Sequence, residues 1–392
     1  MKTILRTFVG CTAILFGTAC MGAVKYVPEN MKVELSLKVP GNNAVNYKLH
    51  PDKLENSYFD YEWRSDNKLP ITVFHKVEER DSCMRLTVQL TAAQDVYFNY
   101  RQLLSTGYRH DNCQFYMPGF WYRRNLRSPK KAPSFHTSDS WLVREDRLSA
   151  PLTGIFSEKE KRFMTVNRLD DFSMDALATH KEGEIILSGK TSLGFTGFEN
   201  QQGIAMLSFG FPYREAPKSY IRKLTLAPEV EAFQLMKKGE SVLLTWEIME
   251  SGADDFSDFI QHTWEHCYDT YAPKPVENSY SIADMKQVLS CFFVNSLVDN
   301  QPLVYNSGIH LKVSDCERNG QAEVGFIGRV LLNAFNAWEY GWQSNREELK
   351  VNSTKIFDSY LKNGFTQAGF FKESVNFDKG YEEPVHLSLI HI

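Results

Sequence analysis

The spacing of apolar residues changes once along the chain, near Asp254, and this change divides the sequence into two parts. Before it, short segments alternate between apolar and polar residues, which is typical of half-buried β-strands. After it, apolar residues recur every three or four positions, which is typical of amphipathic helices. A chain of 392 residues is long enough for two domains. The sequence therefore predicts an all-β domain followed by a helical one.

Nine segments between residues 30 and 250 carry strand patterns, and Gly, Pro, Asn and Asp residues separate them. Short strands at regular spacing favour an antiparallel β-sandwich, which we place at residues 24–250. The predicted strands are Val33–Val39, Ile71–Lys76, Met84–Leu90, Asp95–Leu104, Arg162–Arg168, Glu184–Gly189, Ala205–Phe211, Tyr220–Leu226 and Ser241–Ile248.

The remaining residues, 251–392, predict about four helices. The first follows an N-cap at Asp254 or Asp255 and stops before Pro273 and Pro275. The others begin after Ser281 or span Glu323–Tyr340 and Glu347–Lys362, with an extended segment at Val304–Leu311 between them. A β-sandwich followed by an (α/α)6-toroid is a frequent build among bacterial enzymes that cut polysaccharides.

A six-hairpin toroid of that kind needs about twelve helices, or some 300 residues. Only 139 residues run from Asp254 to Ile392 (392 − 254 + 1). We therefore expect residues 251–392 to form the beginning of a toroid that is truncated and has an exposed apolar flank.

Residues 1–23 have the pattern of an export leader. Lys2 and Arg6 form a basic n-region, and Phe8–Ala19 is an apolar stretch too short to be a stable membrane span. Cys20 follows small residues, as in a lipobox, so a lipid anchor at Cys20 is one expectation and cleavage near Ala23 the other. Either way, we expect an exported protein, in the periplasm or on the outer membrane of a Gram-negative bacterium.

Several classes of function lack their usual signals. The net charge of −4 gives no sign of a nucleic-acid partner. The sequence has no Walker loop, Rossmann glycine fingerprint, HExxH or GxSxG motif. The seven cysteines form no C-x-x-C pair or zinc-like spacing, so no metal or cofactor is expected. Most of them are expected to be buried free thiols, with a Cys83–Cys113 disulfide as the alternative.

The segment from Pro118 to Pro151 shows little strand pattern and is rich in aromatic and basic residues. Rings bind sugar faces, and arginine forms paired hydrogen bonds with carboxylates, so the segment suits an acidic sugar such as a uronate. A contact between domains, where Trp, Tyr and Arg are also favoured, is the alternative. The candidate substrate-binding residues here are Trp121, Tyr122, Arg123, Arg124, His136, Trp141 and Arg144.

Acidic residues cluster before the strongest helical pattern, at Asp315, Glu317 and Glu323, with Arg318 among them. Glycoside hydrolysis needs two carboxylates that flank the scissile bond, one protonated and one ionised. These three are the candidate catalytic residues, and Arg318 is a candidate substrate-binding residue. Helix capping and compensation of the helix dipole would also explain acidic residues at this position.

A third group lies near the end of the sequence, where Tyr381 or His386 could act as the base of a polysaccharide lyase. A plain solvated loop is the alternative, and the pattern favours it over a catalytic role. Its acidic members are Glu373, Asp378, Glu382 and Glu383.

Four stretches of sequence resemble known enzymes. QAEVGFIGRVLLNAFNAWEYG and KIFDSYLKNGFTQAGFF resemble the (α/α)-toroid domains of exported glycan-degrading enzymes of gut Bacteroidetes, and WYRRN and SWLVREDRLSAP resemble their N-terminal β-domains. Among these enzymes the chain is most similar to glycoside hydrolase family 154, the β-glucuronidase type. The resemblance implies a uronate-recognising hydrolase acting on a polysaccharide or oligosaccharide. A polysaccharide lyase, a non-catalytic surface glycan-binding lipoprotein and a structural module remain as alternatives.

Overall fold

The computed structural model describes most of the chain. The chain divides into two compact units, and the division in the sequence comes after Pro273. The described residues are 28–53, 60–80, 83–126, 128–129, 131–170, 182–222, 224–275, 277, 279–295, 297–298, 304–305, 309–311, 316–318, 321–323, 329–365, 367–369 and 374–376. The leader at residues 1–23, including Cys20, lies outside them. Within the described residues, no helix has both the length and the apolar content needed to cross a membrane.

The first unit, Met1–Pro273, consists of strands followed by one helix. Its strands are β1 (Met31–Lys38), β2 (Val45–Lys53), β3 (Asp60–Arg64), β4 (Ile71–Glu79), β5 (Cys83–Ala92), β6 (Val96–Arg109), β7 (Cys113–Met117), β8 (Trp121–Arg123), β9 (Trp141–Arg144), β10 (Leu152–Ser157), β11 (Arg162–Arg168), β12 (Gly183–Ile186), β13 (Phe195–Gln201), β14 (Ile204–Phe211), β15 (Arg214–Glu215), β16 (Ser219–Arg222), β17 (Thr225–Ala227), β18 (Val230–Met236) and β19 (Ser241–Gly252). The helix is α1 (Phe256–Tyr271).

These strands form two antiparallel layers that share β2. One layer runs in the order β2-β1-β6-β14-β13-β9. The other runs β2-β3-β4-β5-β19-β11-β10-β7-β8. The pairing of β12 with β18 is parallel, unlike the others. The expectation of an antiparallel β region before the helices is confirmed, and each of the nine predicted strands overlaps an observed one.

Aromatic side chains from the two layers meet in a common core. Phe115 of β7 lies against Phe198 of β13, with ring centroids 4.0 Å apart and nearly parallel. Tyr100 of β6 and Trp246 of β19 are fully or almost fully buried, with centroids 6.3 Å apart. Rings of this size each remove about 150–250 Å² from water, so such contacts dominate the stabilisation of the sandwich.

Helix α1 packs on the second layer, so the first unit extends to Pro273 rather than to residue 250. The Asp255 carboxylate caps the helix by accepting hydrogen bonds from the backbone N–H groups of Ser257 and Asp258, at 2.7 and 2.9 Å. Phe259 is fully buried and stacks with Phe156 of β10. The helical spacing of this segment predicted the helix but not its partner, since an apolar face does not specify what covers it.

The second unit, Lys274–Ile392, contains three helices in its described part. They are α2 (Ile282–Asn295), α3 (Arg329–Gln343) and α4 (Glu347–Asn363), accompanied by short strands β20 (Leu297–Val298), β21 (Val304–Tyr305), β22 (Ile309–Leu311), β23 (Cys316–Arg318), β24 (Gln321–Glu323) and β25 (Ser374–Asn376). The predicted cap at Ser281 is confirmed, because its hydroxyl accepts a hydrogen bond from the Asp284 N–H. Three helices do not establish a toroid.

The core of the second unit is small. Its buried apolar residues, among those that the structure describes, are Val330, Ala334, Ala337, Leu349, Ile356 and Tyr360. Large apolar side chains on the helices remain exposed, including Phe292, Phe335 and Trp342. The truncated toroid with an exposed apolar flank stays a prediction.

Candidate functional site

The segment from Pro118 to Pro151 is folded into the sandwich, and two of its aromatic residues belong to the core. Trp121 and Trp141 are fully buried, with ring centroids 5.8 Å apart. Their indole N–H groups donate hydrogen bonds to backbone carbonyls of Arg123 and Ser138, at 2.9 and 3.0 Å. Neither ring has a face open to a sugar. The prediction that these two tryptophans bind substrate is therefore corrected, because both are needed to fill the space between the layers.

Arg144 is also buried and engaged within the fold. It is 4% exposed, donates to an Asp146 carboxylate oxygen at 2.5 Å and lies over the ring of Tyr213. His136 is exposed, with Nε2 2.9 Å from the carbonyl oxygen of Leu126. Arg144 thus holds the fold together at a buried position rather than facing a ligand, whereas His136 remains accessible.

Tyr122, Arg123 and Arg124 are exposed or half-buried in a turn that follows Trp121. Asn125 holds this turn: its side-chain oxygen accepts from the N–H of Tyr122 at 3.0 Å, and its own N–H donates to the Tyr122 carbonyl at 3.0 Å. The backbone is left-handed at Arg123 and at Asn125, with φ of 57° and 47°. Asparagine adopts this conformation readily, while arginine at such a position costs roughly 1–2 kcal/mol.

This turn borders an open depression with a volume of about 590 Å³. The Tyr122 side chain is 52% exposed there. A depression of this volume falls within the range of small-molecule sites. Its lining residues are Gln114, Tyr122, Arg123, Arg124, Asn125, Leu126 and Ser128.

Neither arginine of the depression forms an ion pair with a carboxylate among the described residues, although Asp255 lies near enough to Arg123 for the two charges to interact. Arg124 donates to the backbone carbonyls of Cys113, at 3.3 Å, and Asp111. The guanidinium of Arg123 lies over the ring of Phe256, 4.8 Å from its centroid. Among the described residues, neither arginine forms an ion pair. A cation on an aromatic face keeps most of its N–H groups available, so Arg123 can still bind an anion.

The predicted carboxylates lie in the second unit and have a different local structure from the one expected. Glu317 is on β23, opposite His310, and Glu323 is on β24, opposite Ser374. The prediction that Glu323 lies inside a helix is wrong, because Glu323 belongs to β24.

Several predicted residues lie outside the described part of the structure. They include Asp315 and the side chains of Glu317, Arg318 and Glu323, so the structure neither gathers nor separates these groups. The same holds for Glu373, Asp378, Tyr381, Glu382, Glu383 and His386.

Comparison with known proteins gives only distant likeness. No family model matches the chain, and no curated protein matches it. Similar solved structures include a polysaccharide lyase (12% identity, TM-score 0.30, 86% of this chain and 54% of that one) and the GH36 α-galactosidase AgaB from Geobacillus stearothermophilus (9%, 0.32, 56% and 30%). A third is the Slr1438 protein from Synechocystis sp. PCC 6803 (7%, 0.30, 55% and 73%).

The chain thus spans about half of the lyase and under a third of the galactosidase. Several of these neighbours are carbohydrate-active enzymes, and membership of glycoside hydrolase family 154 is not shown. At these identities and TM-scores the likeness assigns neither a family nor an activity.

Proposed function

We propose that this chain is an exported carbohydrate-active protein whose first unit holds an acidic sugar at the Tyr122–Arg124 turn. The observation that carries the proposal is the combination, in one open depression, of an exposed tyrosine ring and two guanidinium groups without carboxylate partners among the described residues. The proposed ligand is a uronate residue of a polysaccharide or oligosaccharide.

The chemistry of a uronate fits these groups one by one. Its pyranose ring has an apolar face of C–H groups, which stacks on an aromatic ring such as that of Tyr122. Its carboxylate accepts paired hydrogen bonds from one guanidinium, and Arg123 has the more available N–H groups of the two. A neutral hexose would use the ring but leave the positive charge without a partner. The depression therefore favours an acidic sugar over a neutral one.

The backbone at Arg123 gives a second argument. Glycine would occupy a left-handed position without the steric cost that arginine incurs. Residues kept in sparsely populated conformations are concentrated at binding and catalytic sites. A guanidinium at this point of the turn is consistent with a ligand-binding role.

We further propose that the protein is a glycoside hydrolase and that its catalytic carboxylate pair comes from Asp315, Glu317 and Glu323. The sequence pattern of these residues and the resemblance to toroid hydrolases support this part. In hydrolysis, one carboxylic acid protonates the leaving oxygen while the other carboxylate activates water or attacks the sugar. A polysaccharide lyase is the second candidate, and it would leave an unsaturated product that absorbs in the ultraviolet.

The binding proposal is tested by calorimetry on the full chain with uronate oligosaccharides and with uncharged oligosaccharides of equal length. We expect Arg123→Ala to weaken uronate binding by roughly 10- to 150-fold, since a hydrogen bond to a charged group contributes about 1.5–3 kcal/mol. Tyr122→Ala should weaken both ligand classes. Raising the salt concentration should weaken uronate binding only.

Two exposed residues that do not belong to the turn serve as matched controls. Arg64→Ala removes an arginine that is already paired with Asp52 and Glu62, and Tyr280→Ala removes a tyrosine that is 66% exposed. Equal binding of charged and uncharged sugars, or an Arg123→Ala variant that binds like Arg64→Ala, would refute the proposal.

The catalytic proposal is tested separately by product analysis. Hydrolysis predicts new reducing ends without ultraviolet absorbance, and Glu317→Gln or Glu323→Gln should abolish turnover while leaving uronate binding intact. Binding without any turnover would instead identify a glycan-binding protein.

A further inference from the structure

Three metal-binding side chains from three separate elements meet in the first unit, outside the Tyr122–Arg124 turn. They are Cys83 at the start of β5, Glu247 on β19 and His266 on α1. One ligand atom from each lies within 4.8 Å of the other two. This is the only such trio found among the described residues.

The trio is largely shielded from water. Cys83 and Glu247 are buried, while His266 is half-buried on the outward side of the cluster. The His266 Nε2 lies 2.7 Å from Glu247 Oε1, and the Cys83 thiol donates a hydrogen bond to the same carboxylate. Both contacts already converge on Glu247, so the three side chains need no large movement to share one ion.

The surroundings of Glu247 favour its ionised form. Its carboxylate accepts hydrogen bonds from His266, Cys83 and Arg85. The Arg85 guanidinium lies 3.3 Å from Glu247 Oε2 and forms an ion pair with the carboxylate. Its side chain is 28% exposed, so it can turn to solvent when another cation binds.

We propose that Cys83, Glu247 and His266 bind one Zn²⁺ ion, with the fourth coordination position taken by water. A mixed S, O and N donor set of three protein ligands plus water is a usual zinc arrangement, since Zn²⁺ is a borderline-soft ion that prefers four ligands. The Thr270 hydroxyl donates to Glu247 Oε1 at 3.2 Å and would help to orient the carboxylate.

The charge and proton balance of the site is simple. On binding, the Cys83 thiol gives up its proton to solvent and becomes a thiolate. Glu247 binds as a carboxylate, and His266 binds as a neutral imidazole through Nε2, so the ring proton that Nε2 donates to Glu247 in the metal-free site moves to Nδ1 by exchange with solvent. Zn²⁺ with one thiolate and one carboxylate has no net charge, which suits a mostly buried place. One proton is released for each zinc ion bound.

Such an ion would join the sheet to the helix. Cys83 lies on β5 and Glu247 on the neighbouring strand β19, where Cys83 pairs with Met249. His266 belongs to α1. Because the unfolded chain lacks the site, zinc should stabilise the fold by RT ln(1 + [Zn]/Kd), or about 2.7 kcal/mol at 100 times the dissociation constant.

The test begins with the chelator-treated full chain and zinc alone as the probe. We expect one zinc per chain by elemental analysis and a higher unfolding midpoint after zinc is added back. Cobalt substitution should give a thiolate-to-metal absorption band in the near ultraviolet, which only a sulfur ligand produces. Cys83→Ser should remove that band, and His266→Gln should reduce zinc affinity by at least tenfold.

Two neighbouring residues provide matched controls. Cys113 is another buried free thiol, and His262 lies one turn before His266 on the same helix. Cys113→Ser and His262→Gln should leave zinc content and the cobalt band unchanged. If Cys83→Ser or His266→Gln does not fold, the presence or absence of the cobalt band in the unaltered chain still tests the proposal. Absence of stoichiometric zinc, a cobalt spectrum without the sulfur band, or a band that survives Cys83→Ser would overturn the proposal.

Discussion

Replacement of Gly154 by alanine tests how tightly α1 is held against the sheet. Gly154 lies on β10, directly beneath the ring of Phe259. A Cβ at this position would stand 2.6 Å from Phe259 Cζ and 3.2 Å from Thr165 Cγ2. Ordinary contacts between carbon atoms are about 3.5–4.0 Å, so the ring would have to move by roughly 1 Å.

The ring has little room for that movement. Phe259 is fully buried, and its centroid lies 4.9 Å from that of Phe163 and 6.0 Å from that of Phe156. Overpacking of a filled core costs about 1–3 kcal/mol. We expect Gly154→Ala to lower the free energy of unfolding of the first unit by about 2 kcal/mol, and hydrogen exchange in α1 to become faster.

A double-mutant cycle isolates the contact. Phe259→Ala alone should cost about 3–5 kcal/mol, because it leaves a cavity in the same place. Adding Gly154→Ala to that variant should cost nothing further, since the new methyl group fills part of the cavity. The expected coupling energy is therefore about 2 kcal/mol. It is measured by urea unfolding, while mass spectrometry monitors hydrogen exchange in α1.

The matched control is Gly189→Ala, where a Cβ meets no atom within 4 Å. This substitution should be neutral or slightly stabilising, since alanine restricts the unfolded chain. The packing argument fails if Gly154→Ala resembles Gly189→Ala, or if the effects at 154 and 259 simply add.

Two further predictions concern buried polar groups. Burial lowers the pKa of His75 to about 3, so the folded chain keeps this imidazole neutral, whereas the unfolded chain protonates it near pH 6.5. The contribution of His75 to the free energy of unfolding should therefore be fully present above pH 6.5. It should fall by up to about 1.4 kcal/mol per pH unit as the pH is lowered toward 3. Acid unfolding curves of His75→Gln should lack this component, and curves identical to the unaltered chain would contradict the reasoning. The carboxylate of Glu145, fully buried, accepts from Arg168 at 2.7 Å and from the Gly194 N–H at 2.8 Å, so Glu145→Ala should cost about 1–3 kcal/mol in urea unfolding by leaving that N–H without its acceptor, while Arg168 keeps its pair with Asp170. Glu78→Ala, which removes an exposed pair with Lys76, should cost less than about 1 kcal/mol, and equal losses would refute this prediction.

The elements of this fold were largely predictable because their patterns are local. Alternation over five or more residues identified strands such as Arg162–Arg168, and the Asp255 cap was readable from its position before the helical spacing. The roles of Trp121 and Trp141 were not predictable in this way. They lie on strands of three and four residues, too short to show which side faces inward.

The candidate site residues also differ in whether the sequence alone could predict their roles. Tyr122 and Arg123 differ from Trp121 by one or two positions, yet only the fold shows that they face the depression while the tryptophan fills the core. The Cys83, Glu247 and His266 cluster escaped sequence inspection for a different reason. Motifs of metal sites depend on short spacings, whereas these ligands come from a strand start, a distant strand and a helix.

Helix α1 determines where the first unit can be separated from the rest. A recombinant fragment ending at residue 250 would lose Phe256 and Phe259 and would open Tyr116, Phe156 and Phe163 to water. The exposed apolar surface would favour aggregation, and we expect this fragment to precipitate. A fragment ending at Pro273 keeps that surface covered. Gene fusions that join this sandwich to other modules should therefore carry the helix with it.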